Sequence, residues 1–225
     1  MSVGISDLLN PGRTEAPLAF KVLEQLHEID LTENPEIRVR RNYDRLRASL
    51  HGLTERQALH LAYSQEYLIA ELNDHGGVYL GLCCARSETD PHRIVTAQFS
   101  VTVQAADLHA ERPLAGAAGG LRTPGSPREV VLERFPAGDG LIVAEELLVT
   151  VPFGPLGEPA PAEHRVRQAQ VSFACPDRRR ITTFGLSSES LDDWPYLMEI
   201  LNGIVNSVSF TDPSSTKSIN ATLDA

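Results

Sequence analysis

Cysteine, tryptophan and long apolar runs are all scarce in this chain. It has three cysteines, Cys83, Cys84 and Cys175. Neighbouring strand residues point to opposite faces, so a Cys83–Cys84 disulfide would be strained, and an odd count with no spaced pairs makes no disulfide framework. The pattern reads instead as reduced, buried thiols of a cytoplasmic protein. No stretch approaches the roughly 18 consecutive apolar residues that a membrane-spanning helix needs. The first residues, Met1–Asp7, carry no basic segment followed by an apolar run, so a standard signal peptide is not expected. Basic residues are in deficit: the formal net charge is -10. That argues against nucleic-acid binding and fits solubility or a basic partner.

Reactive clusters are missing as well. None of the seven histidines lies four residues from another on a helix or beside a cysteine pair, so no metal site is expected. The Gly-x-Ser-x-Gly elbow of serine hydrolases does not occur. Gly116-Ala-Ala-Gly119-Gly120 lacks the Gly-Lys-Ser/Thr ending of a phosphate loop. Glu145 and Glu146 fall in an expected strand, where adjacent carboxylates face opposite ways and cannot work as an acid–base pair. No catalytic, cofactor-binding or metal-ligating residue is assigned, and no cofactor is expected.

What is present is a well-patterned core. A chain of 225 residues buries roughly 70% of its unfolded surface without help from metals or disulfides. The richest stretch is Arg165–Phe210. Val171, Phe173 and Cys175 alternate as in a strand, and Pro176–Arg179 is turn chemistry. Arg180–Leu186 is extended again. Over Ser190–Val208, residues Leu191, Trp194, Leu197, Met198, Leu201, Ile204, Val205 and Val208 keep a 3.6-residue period, predicting a helix laid on that hairpin. Pro195 fits only in the first turn, so Asp192 or Asp193 is the expected cap.

Two helices are predicted upstream. Asn34-Pro35 is a start signal for Glu33–Leu50, where Val39, Tyr43, Leu46 and Leu50 form one narrow stripe. Arg38, Arg41 and Arg45 are read on the opposite face. That row suits either a solvated helix back or a surface for an acidic partner. Thr54-x-x-Gln57 is a capping box for a helix over Glu55–Asn73. This helix has a main side of Ala58, Leu61, Ala62, Gln65, Leu68, Ile69 and Leu72, and a second strip of Leu59, Tyr63, Tyr67 and Ala70. A helix apolar on two sides is either sandwiched inside the protein or offers one side to a partner. The candidate protein interface is therefore Arg38, Arg41, Arg45, Tyr63 and Tyr67. Two hairpins, 78–86 with 94–103 and 129–135 with 140–151, follow from apolar extended runs bounded by turn residues, with Val78, Leu80, Leu82 and Cys84 expected on one face of the first. Between them, Asp107 is expected to cap a loose helix weakened by Pro113 and Gly116.

Val166–Phe173, Pro176-Asp177-Arg178, Phe184-Gly185-Leu186-Ser187-Ser188, Asp193-Trp194 and Ile204–Phe210 together resemble the C-terminal part of the PsbP/Mog-like superfamily, in particular its uncharacterised actinobacterial members. The resemblance covers residues 54–210. It implies an α+β fold, an α/β/α sandwich with a central antiparallel sheet and helices on both faces. Known members are mostly non-enzymatic, and no binding residue of theirs transfers. The expected organisation is an extension over 1–32, a helical arm over 33–53, the sandwich over 54–210 and a flexible tail over 211–225. The expected function is non-catalytic protein binding, as a scaffold or adaptor that joins a protein partner or itself. A small-ligand carrier or enzyme with a dispersed site, and a chaperone-like or structural subunit of a secretion-type machine, stand as alternatives.

Overall fold

The computed structural model describes residues 18–24, 26–49, 54–87, 90, 93–123, 125–151 and 162–210. The elements in chain order are β1 (Leu18–Ala19), β2 (Leu26–Glu28), α1 (Pro35–Ser49), α2 (Glu55–Asp74), β3 (Gly77–Arg86), β4 (Ile94–Ala105), α3 (Pro113–Leu121), β5 (Glu129–Phe135), β6 (Gly138–Val151), β7 (Ala162–Ala174), β8 (Arg180–Ser188), α4 (Trp194–Asn206) and β9 (Ser209–Phe210). Seven strands form one antiparallel sheet in the order β2-β3-β4-β8-β7-β6-β5, and β1 pairs separately with β9. The expected α+β class with helices on both faces of a central antiparallel sheet is what the chain adopts. Residues 1–17, the segment 152–161 after β6 and the expected flexible tail at 211–225 lie outside the described residues.

Side-chain alternation sorts the sheet into two unlike faces. Val95, Ala97, Phe99 and Val101 on β4, Phe184 and Leu186 on β8, and Ala169, Val171 and Phe173 on β7 point one way. There they meet Trp194, Leu197, Leu201, Ile204 and Val205 of α4 in the main core. The predicted stripe of this helix is thus its buried face, joined by Ile200. Phe20 extends the aromatic cluster, edge-on to Tyr79 and Phe184 with ring centroids 5.5 Å away in each case. The other face is covered by α3 only near β5–β7, where Leu114, Ala118, Val130 and Leu141 cluster. Its central strip of Ser100, Thr102, Gln170, Ser172, Thr183 and Ser187 stays partly or fully exposed. An antiparallel sheet tolerates such a wet face, and these residues are the polar half of the alternation.

Several expectations need correction. Among the described residues, 18–49 are no extension or separate arm: β2 joins the edge of the main sheet beside β3, with Leu26 opposite Cys83, and α1 packs along α2. Strands of two and three residues carry too little alternation to be read from sequence. On β3 the core-facing residues are Tyr79 and Cys83, while Leu80 is buried on the opposite side. Asp107 caps nothing: α3 begins at Pro113, where the missing N–H has no helical partner to lose. The glycines at 116–120 therefore lie within α3 and form no loop.

Other local signals hold. Asn34 caps α1 through Oδ1, which accepts the Glu36 N–H at 2.8 Å. The Thr54–Gln57 capping box is present in both directions. Gly76 has φ +76°, and a Cβ there would lie 2.3 Å from the Val103 carbonyl oxygen, so only glycine fits the turn that feeds α2 into β3. Asp193 occupies the cap position of α4 but makes no cap bond. Its carboxylate instead accepts from Ser87 Oγ at 2.6 Å and from Arg93 Nη2 at 2.7 Å, tying the end of β3 to the start of α4.

Candidate functional site

The α1–α2 hairpin carries a cluster of exposed apolar residues: Ile37, Leu59, Tyr63, Tyr67 and Leu68. The two helices pack on one another, and Val39 on α1 and Ala58, Ala62 and Ile69 on α2 are buried. A charged clip locks them. Arg38 donates from Nε to Glu66 Oε2 at 2.8 Å and from Nη2 to Glu66 Oε1. From Nη1 it also donates to the carbonyl oxygens of Asp30 at 2.6 Å and Glu33 at 3.1 Å. Planar guanidinium geometry suits such a two-pronged carboxylate contact plus carbonyl contacts. The Glu66 hydrogen bond is the main cause holding the Arg38 pKa above its ordinary value. Nearby, the buried Asn42 donates to Gln65 Oε1 and accepts from Arg45 Nη2 at 2.6 Å.

This geometry divides the expected interface residues. Arg38 is 4% exposed and faces α2, so it is removed from the predicted arginine row and cannot meet a partner. Arginine this far inside a fold is retained because its donors are satisfied, which spacing along one helix does not reveal. Arg41 stays on the surface but is paired with Glu33 at 2.6 Å, and Arg45 is held against Asn42. Tyr63 and Tyr67 are 59% and 65% exposed. The second apolar strip of α2 therefore faces outward and is not sandwiched inside the body. Leu59 continues it at the same four-residue interval, and Ile37 and Leu68 add further exposed apolar surface. Between the helices runs an open groove of about 510 Å³, lined by Val39, Tyr43, Leu59 and Tyr63 and by the charged Arg40, Asp44 and Glu55.

No family model matches the chain. No curated protein matches it in sequence either. Among solved structures it is similar to LpqN of Mycobacterium tuberculosis, a protein involved in cell envelope biogenesis. The TM-score is 0.42 at 12% identity, over 90% of this chain and 87% of that one. A likeness at that level supports no functional argument, which leaves the chain's own surfaces.

The other polar groupings are occupied by structural bonds. Glu145 accepts from Arg128 Nε at 2.8 Å and from Gln168 Nε2 at 2.6 Å, and the Arg128 bond holds its carboxyl below the usual carboxylate range. Glu146 faces the other way, towards Arg165 and Arg167, each at 3.7 Å. Arg167 in turn lies over the Trp194 ring at 5.7 Å. Ser87 Oγ donates to Asp193 and accepts the Asp90 N–H. Burial pushes the Cys175 thiol up, the reverse of what a reactive thiolate needs. Among the described residues, no three His, Cys, Asp or Glu side chains are grouped as metal ligands, and no helix is long and apolar enough to cross a membrane. At the β7–β8 turn, Arg178 takes a left-handed φ of 55° and Asp177 bonds the Arg179 N–H and Arg180 Nε. The tip of the arginine run is thus braced by its own neighbours.

Proposed function

We propose that this chain is a non-catalytic protein-binding module that presents the α1–α2 hairpin to a protein partner. The observation that carries the reading is the outward strip of Leu59, Tyr63 and Tyr67 beside the groove, set on two helices that Arg38 and Glu66 hold rigid. Tyrosines on a rigid platform supply contact area at small entropic cost, and exposed apolar strips rimmed by charge mark protein contacts. The partner that fits offers an apolar ridge to the groove and polar groups to Arg40, Asp44 and Glu55. Membership of the PsbP/Mog-like superfamily belongs to the same proposal, supported by the hairpin-plus-helix pattern of 166–210. So does a reducing, cytoplasmic setting, supported by the buried Cys83 and Cys175.

Affinity capture from lysate of the source organism tests the proposal. The full chain is compared with a Tyr63→Ser/Tyr67→Ser variant of unchanged melting temperature. A partner retained by the first and lost by the second supports the reading. Equal retention by both, or nothing retained by the native chain, refutes it.

A further inference from the structure

Among the described residues, one edge of the main sheet is left without a partner strand halfway along. β5 has 7 residues and β6 has 14. β5 pairs with β6 only from Gly138 to Ala144, whereas β7 stays paired with β6 as far as Val151. Arg128 and Glu145 close the junction. Beyond it, among the described residues, nothing hydrogen-bonds the outer side of β6 over 146–151. Alternate backbone N–H and C=O groups there point away from the sheet, an arrangement that recruits another strand.

Two other parts of the sheet perimeter are shielded among the described residues, β5 along its length and the stretch of β3 that β2 covers, Gly81–Cys83. β5 carries Glu129, Glu133 and Arg134 along its length, and its Val130 carbonyl already accepts from Arg122 Nε at 3.3 Å and Nη2 at 3.1 Å. The opposite perimeter ends in the three-residue β2. The overhang of β6 has neither lysine nor proline, the usual edge guards, and a single charged residue, Glu146. Leu147, Leu148 and Val149 on it are 37%, 60% and 38% exposed.

We infer that residues 146–151 pair with the same segment of a second copy of this chain, antiparallel about a two-fold axis at Leu148. The sequence Glu146-Leu147-Leu148-Val149-Thr150 is self-complementary in that register. Leu148 faces the partner's Leu148, Leu147 faces the partner's Val149, and Glu146 faces the partner's Thr150. Strand alternation then gathers Leu147 and Val149 of both copies on one face of the joined sheet and the two Leu148 side chains on the other. An axis at Leu147 would set Glu146 against the partner's Leu148, and an axis at Glu146 would set two carboxylates together. So short an edge buries less area than a standard stable interface, and each copy carries a net charge of -10, so the dimer is weak and tightens as salt screens the repulsion.

Sedimentation equilibrium over a range of protein and salt concentrations tests this, together with amide hydrogen exchange. The native mass is expected to rise from 24.6 kDa towards twice that value, more readily at high salt. Amides of 147–150 gain protection in step. Leu148→Lys raises the dissociation constant at least about tenfold, and Val149→Lys acts in the same direction. Both variants keep native circular dichroism because these side chains are exposed. A native chain still monomeric at about 1 mM, or dimerisation unchanged in both lysine variants, overturns the inference. A dimer lost in Tyr63→Ser/Tyr67→Ser but kept in Leu148→Lys also overturns it, and places the contact on the helical hairpin.

Discussion

Replacing Arg38 by methionine isolates the clip on which the hairpin surface depends. Methionine fills much of the space of the arginine stem, so packing is largely kept and the hydrogen bonds are lost. Three acceptors then lose donors: the Glu66 carboxylate and the carbonyls of Asp30 and Glu33. Breaking a fully buried pair costs about 3–5 kcal/mol, because a charge is left uncompensated. The Glu66 side chain keeps 15% exposure, so water recovers part of that solvation and the expected loss falls to about 2–4 kcal/mol. Urea unfolding of the native chain and Arg38→Met reads this as a lower midpoint at unchanged slope. Adding Glu66→Gln to Arg38→Met removes the stranded charge and is expected to recover at least about 1 kcal/mol. A loss below about 1 kcal/mol, with no recovery in the double variant, would mean that the helices hold together without the clip, and the reasoning fails.

Four further outcomes follow from the core and from the Arg128–Glu145 pair. Trp194→Ala removes a core indole that is 9% exposed and is expected to cost about 3–5 kcal/mol in a chemical melt, with native fluorescence blue-shifted relative to the unfolded chain. Tyr79 carries a buried hydroxyl with no hydrogen-bond partner among the described residues, so Tyr79→Phe is expected to gain roughly 1 kcal/mol in the same assay. Burial pushes the Tyr79 phenol up to about 12, so alkali must ionise it against the fold. Its stabilising share is full below the unfolded phenol range and is lost as pH rises through about 12, which absorbance titration against Tyr79→Phe detects. For Glu145 the sign is opposite. Its carboxyl is held low chiefly by Arg128, so the stability gap between the native chain and Arg128→Leu is present at neutral pH and closes in acid, as pH falls through the folded Glu145 value.

Long, strongly periodic elements could be read without coordinates. The α4 stripe, the Thr54–Gln57 capping box and the strand pairs all carry local signals that the fold uses unchanged. What escaped depends on distant partners. Arg38 looks like one more surface arginine until Glu66, on the next helix, and the carbonyls at 30 and 33 close around it. Asp193 looks like a cap until Ser87 and Arg93 claim its oxygens. β1 and β2 are too short to show a period. Tyr63 and Tyr67 were visible as a second strip on α2, but whether that strip turned in or out depended on where α1 packed. The mismatch between β5 and β6 was visible in their lengths, yet its open edge appears only once β7 is known to lie on the other side.

The central claim is that the outward strip of α2 is a recognition surface. Hydrogen exchange on a captured complex, compared with the lone chain, tests it most directly. Slowed exchange confined to α1 and α2 around Tyr43, Leu59 and Tyr63 is the expected result. Slowing elsewhere on the sheet, with the hairpin unchanged, would contradict it.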